Sequence, residues 1–189
     1  MAVTVQNPPI TAPQALALLG ACSEETNTGR RNRALIALLW RAGLRPGEAL
    51  ALRPTDVDPA ARRVRIRDRV AGLDDLAASE VEQWMARRAA HGLGDSGPLI
   101  STLQGKPLSQ AYVRELLPRL ALRAGLDSRV HAMGLRYACA AEMAGEGIAT
   151  EIIESQLGIR PQSSVARYLP IPDEADVVAT MAARPVPLA

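Results

Sequence analysis

Apolar positions recur at helical spacing over most of the chain. Leu16, Leu18 and Leu19 follow Thr11, a helix-capping residue type, and predict a helix through Ala21. The next stretch, SEETNTG, is polar and reads as a loop. From Arg30 to Ala42 the chain is apolar nearly all round at Leu35, Ile36, Leu38, Leu39 and Ala42. That pattern predicts a deeply buried helix, with Arg30, Arg31 and Arg33 at its wet end. Pro46 suits the first position of a further helix and pushes Arg45 out of helical geometry. Arg45 then stands at a helix mouth, where backbone N–H groups favour an anion, with Glu48 near enough to steady its guanidinium.

From Arg63 the period changes from helical to two. Arg63, Arg65, Arg67 and Arg69 alternate with Val64, Ile66, Asp68 and Val70, which predicts one strand carrying a row of arginines on one face. A helix is expected from Asp74 or Asp75. PLIST and GKPLS read as short extended pieces around a turn at Gly105. Ser109 should cap a helix whose apolar side is Val113, Leu116, Leu117 and Leu120, with Pro118 inside it. The stretch from His131 to Tyr168 accommodates three short helices, with Arg136 early and Tyr168 late. A last helix falls within DEADVVATMAAR.

Composition narrows the function classes. The 189 residues are 48% hydrophobic, the profile of a folded domain. We expect a tail over residues 1–10 and one continuous domain over 11–189, with no separate N-terminal domain before it. No apolar run approaches the ~20 residues of a membrane span, and the N-terminus lacks a secretory pattern, so a cytoplasmic location is expected. Cys22 and Cys139 are the only cysteines, and His91 and His131 the only histidines; their spacing suggests reduced thiols, no metal site and no cofactor. Net charge is only +2, but Lys106 is the sole lysine and every other basic side chain is arginine. Arginine forks onto phosphate oxygens and does not readily release a proton. A row of like charges repels itself, so the arginine strand suits either a polyanion or a solvated sheet face.

Several motifs then fall in a meaningful order. GLRPGEALAL comes first. GKPLS, a helix and RAGLDSRVHAMGLRYACAAEMAGEG follow, and ESQLGIRPQSSVARYL comes last. In order and spacing these resemble the motif boxes of the tyrosine recombinases, the phage-integrase family, over nearly the whole chain after the tail. The resemblance implies an α+β fold, mainly α-helical with a small antiparallel sheet. It implies DNA strand cleavage and rejoining through a 3′-phosphotyrosine, with Tyr168 as nucleophile and Arg45 and Arg136 on the phosphate oxygens. It also implies contact with a second copy or a partner recombinase through the C-terminal segment.

The chain departs from the family pattern at the proton-transfer positions. The histidine of the family's His-x-x-Arg motif falls on Met133, with His131 two residues earlier. Ile159 stands where a histidine or tryptophan is expected after Leu157-Gly158, and Tyr137 replaces a frequent histidine. The segment RIRDRVAGLDD lacks the family's hairpin lysine, and Lys106 lies in a later motif. Acid–base groups typically contribute ~10²- to 10⁴-fold each. Two readings therefore stand side by side. One is a recombinase of reduced activity; the other is a recombinase-fold protein that binds DNA or a recombinase without cutting.

Overall fold

The structure, a computed structural model, describes residues 10–95, 97–127, 130–159 and 172–187. The described helices are α1 (Ala12–Gly20), α2 (Asn27–Trp40), α3 (Pro46–Ala51), α4 (Asp75–Ala90), α5 (Gln110–Arg123), α6 (Ala132–Gly145), α7 (Thr150–Leu157) and α8 (Glu174–Ala182). The strands are β1 (Val57–Asp58), β2 (Arg63–Ile66) and β3 (Arg69–Gly72), forming one antiparallel sheet in the order β1-β2-β3. The mainly helical α+β architecture agrees with the sequence expectation.

α2 runs through the centre. Every residue from Ala34 to Trp40 is buried, packed largely against α4 with α1 and α6 on other sides. α2 starts three residues earlier than the polarity of SEETNTG suggested. Thr26 caps it by accepting from the Gly29 N–H at 3.0 Å. Gly29 is there for packing, since a Cβ would strike the Ser23 carbonyl. The arginines near its start are not at a wet end. Arg33 pairs with Glu80 at 2.5 Å, Arg30 bonds Gln83 and Glu24, and buried Arg31 donates to the Tyr112 hydroxyl at 2.5 Å and lies over its ring. Their partners sit on α4, α5 and the preceding loop, which no local pattern discloses.

The arginine-rich strand also needs correction. It is a hairpin, with Arg67 and Asp68 at its turn and Arg67 at φ 54°. The register pairs Ile66 with Arg69 and Arg65 with Val70. Cross-strand partners share a face. Arg69 therefore lies on the Ile66 face, opposite Arg63 and Arg65, and the four arginines do not form one row. Alternation within eight residues resembles a strand even where a two-residue turn divides it.

A buried ionic cluster ties the C-terminal region to this core. Arg41, just after α2, bonds Asp74 at the start of α4, Glu142 on α6 at 2.5 Å, and the Pro185 carbonyl at 3.1 Å. Arg184 pairs with Glu146 at 2.6 Å. The Trp40 indole N–H donates to Glu142 at 2.8 Å. α8 buries Val177 and Met181 and packs on β3, where a Cβ at Gly72 would meet Met181. Each buried charge in the cluster has a partner, which is what makes the cluster tolerable in a dry interior.

Candidate active site

The cleft is built from three junctions, namely the α2–α3 turn, the β2–β3 hairpin and the end of α7. Arg45 precedes α3 in extended geometry (φ −70°, ψ 150°), as Pro46 requires. Glu48, one turn on, accepts from the Arg45 backbone N–H at 2.7 Å and from its guanidinium at 3.0 Å. The same carboxylate accepts from Arg69 at 3.1 Å. Burial raises the Glu48 pKa, but the Arg45 N–H, Arg69 and Arg45 outweigh it and hold the carboxyl below its usual value.

α7 ends at Gly158 in the left-handed region (φ 61°, ψ 44°). The Gly158 and Ile159 N–H groups close the end by donating to Ser155 and Glu154 carbonyls at 3.1 and 2.9 Å. The carbonyls of Gln156 and Leu157 are left to other donors. Arg69 takes the first at 2.6 Å and Arg136, from α6, takes the second at 2.6 Å. Cations are favoured at this negative helix end. Arg136 also donates to the Gly43 carbonyl, two residues before Arg45.

Arg136 is 4% exposed. Among the described residues its hydrogen-bond acceptors are carbonyls, and no carboxylate lies within ion-pair distance. Burial and then the nearby Arg45 lower its pKa to about 10; Glu48 pulls the other way, and Arg69 adds a smaller push down. A desolvated cation beside two others is relieved by an anion. Arg45, Arg67 and Arg69 line a cleft with Glu48, Asp68, Glu154 and Ile159. Arg45 is nearly half exposed there, at 47% of its side chain.

Gln156 braces the site and had no signal in the hydropathy pattern. It is fully buried, donates to the Ala42 and Gly72 carbonyls at 3.1 and 3.0 Å, and accepts from the Gly72 N–H at 2.8 Å. One side-chain amide therefore links α7, β3 and the turn that carries Arg45. The sequence placed Arg69 in the arginine row, but its contacts with Glu48 and Gln156, and the role of Gly158, were legible only once α7 and the hairpin were in place.

The other expected positions are placed as follows. Arg45 and Arg136 come together. Arg63 and Arg65 are exposed on β2, Arg63 facing Asp58 at 3.4 Å. His131 caps α6, its Nδ1 accepting from the Gly134 N–H at 3.0 Å. Lys106 is exposed in the turn after Gly105. Ile159 is 45% exposed at the cleft, and Tyr137 is 41% exposed on α6. Tyr168 and the third helix expected around it lie outside the described residues. Cys22 and Cys139 are buried thiols pushed up to about 11, chiefly by burial.

The model of the phage integrase family matches residues 9–174. The chain belongs to that family. It is 30% identical over 148 residues to the type 1 fimbriae regulatory protein FimE of Escherichia coli K12, covering 75% of each. It is 30% identical over 134 residues to the tyrosine recombinase XerD of Corynebacterium glutamicum, covering 68% of this chain and 44% of that one. Solved structures share the fold. The XerA recombinase superposes with a TM-score of 0.73 at 20% identity, over 89% of this chain and 62% of that chain. The catalytic core of lambda integrase gives 0.60 at 18% identity, over 80% and 95%. The chain thus spans three quarters of FimE but less than two thirds of XerA, and 48% of the XerH recombinase solved in a post-cleavage DNA complex. No described helix is long and apolar enough to cross a membrane.

Proposed function

We propose that this phage-integrase relative is a tyrosine recombinase that binds double-stranded DNA and cuts and rejoins it through Tyr168. The observation that carries the reading is Arg136. It is a buried cation without a carboxylate ion-pair partner among the described residues, within electrostatic reach of Arg45, which lines the cleft. Phosphoryl transfer depends mainly on positioning and on stabilising charge at the phosphate oxygens. Arg45 and Arg136 supply that charge. The Tyr168 oxygen attacks phosphorus, forming a 3′-phosphotyrosine bond as the bond to the 5′ oxygen breaks. The departing 5′ oxygen takes up a proton and leaves as a hydroxyl, and the phenolic proton passes to solvent or a base. Rejoining is the reverse.

The proton-transfer equipment points to slow chemistry. Met133 cannot titrate, Ile159 presents carbon to the cleft, and His131 spends Nδ1 on the α6 cap. The same residues favour a second reading, a recombinase-fold protein that binds DNA or a partner recombinase without cutting. For assembly, we infer contacts between copies on DNA. The buried face of α8 is occupied by its own body, so a partner would meet other parts of the C-terminal region. A DNA-bound, cytoplasmic protein is the setting this reading requires.

The deciding experiment is covalent trapping on a nicked duplex whose cleaved end diffuses away. Wild type should accumulate an adduct that Tyr168→Phe does not. Salt-sensitive DNA binding with equal, background adduct in both proteins would select the non-cutting reading.

A further inference from the structure

The hairpin delivers one arginine to the cleft that the exposed alternation conceals. Arg69 lies on the Ile66 face of the sheet, away from Arg63 and Arg65. Its guanidinium is fixed at two ends, donating to the Gln156 carbonyl at 2.6 Å and to Glu48 at 3.1 Å. Through Glu48 it shares a carboxylate with Arg45, and through the end of α7 it adjoins Arg136, which holds the next carbonyl. Gly158 leaves room for it, since a Cβ there would strike the Arg69 side chain. Two separate elements, α3 and the end of α7, are shaped around this one side chain.

A guanidinium carries five N–H donors, and these two bonds engage two of them. Arg69 also lines the open cleft, so the group is oriented but not enclosed. Glu48 holds Arg45 and Arg69 at one carboxylate, which offsets part of their mutual repulsion and fixes their spacing. Capping α7 alone would not require the charge to face the cleft beside two other guanidiniums. Arginine at this place adds positive charge and directional donors but no dissociable proton.

We propose that Arg69 is a third phosphate ligand of the site, taking a non-bridging oxygen of the DNA phosphodiester alongside Arg45 and Arg136. The inference rests on the cleft being the DNA phosphate site. It assigns Arg69 to charge stabilisation and excludes it as the acid for the leaving oxygen.

The test follows binding of a short DNA duplex as a function of salt for wild type, Arg69→Gln and Arg69→Lys. In parallel, the arginine side-chain Nε–H resonances of wild type are followed as duplex is added. The slope of log affinity on log salt should fall by about 0.9 in Arg69→Gln, the contribution of one phosphate contact. Arg69→Lys, which keeps the charge, should retain the wild-type slope. The Arg69 resonance should move together with those of Arg45 and Arg136. A wild-type slope in Arg69→Gln, or a fixed Arg69 resonance while Arg45 and Arg136 move, overturns the inference and leaves the DNA-phosphate reading standing. If all three stay fixed while DNA binds, both fail. Should Arg69→Gln not fold, the wild-type resonances decide alone.

Discussion

Arg136 carries the chemistry at the scale of single residues. Its charge is held in a dry site by the Gly43 and Leu157 carbonyls and opposed by Arg45 and Arg69. An oxyanion that develops charge in the transition state makes that arrangement favourable. Arg136→Ala and Arg45→Ala should each lower the rate of adduct formation on a nicked duplex by ~10²- to 10³-fold, as loss of one oxyanion donor does. Cys22 and Cys139 give a separate residue-scale expectation. Each thiol is raised from 9.0 to about 11, chiefly by burial. Below pH 9 both folded and unfolded thiols are protonated, so stability is at its plateau. Between pH 9 and 11 the unfolded thiols ionise first, and stability falls by ~2–3 kcal/mol per thiol. Denaturant titrations at several pH values should show that decline, and Cys22→Ala should remove its share.

Elements decide where these residues meet, and this is where the sequence was only partly legible. The caps at Thr11 and Ser109, the start at Asp74 and Pro46 marked helix starts because capping is local chemistry. The motif order brought out Arg45 and Arg136. The hairpin in RVRIRDRV was legible from the family resemblance but not from the hydropathy pattern, because period two continues across a tight turn. Nor was Gln156, whose partners lie more than 80 positions away in Gly72 and Ala42. The end of α7 offers a direct check. Gly158→Ala would place a Cβ at positive φ, at a cost of ~1–2 kcal/mol, and would displace Arg69. Thermal unfolding should show the loss, with DNA binding weakened beyond what the stability change explains.

Across the whole molecule, the C-terminal region is joined to the centre by charge rather than by apolar area alone. Arg41 meets Asp74, Glu142 and the Pro185 carbonyl in the interior. Removing one member strands the others, so Arg41→Ala should destabilise the fold by ~3–5 kcal/mol in denaturant unfolding. Outside, Arg63 and Arg65 are exposed on the central strand, on the sheet face opposite Arg69. If that face tracks the DNA backbone, neutralising both should weaken binding to a similar degree across sequences and flatten its salt dependence, leaving adduct formation at saturating DNA nearly unchanged.

The most direct measurement of the central claim is the identity of the covalent bond itself. A trapped complex would be digested with nuclease and protease, and the peptide bearing a nucleotide remnant sequenced by mass spectrometry. The account predicts a remnant joined to the Tyr168 oxygen through a 3′ phosphate, with a free 5′-hydroxyl on the released strand. A remnant on Tyr112 or Tyr137, a 5′ linkage, or no remnant under conditions where DNA is fully bound would contradict it.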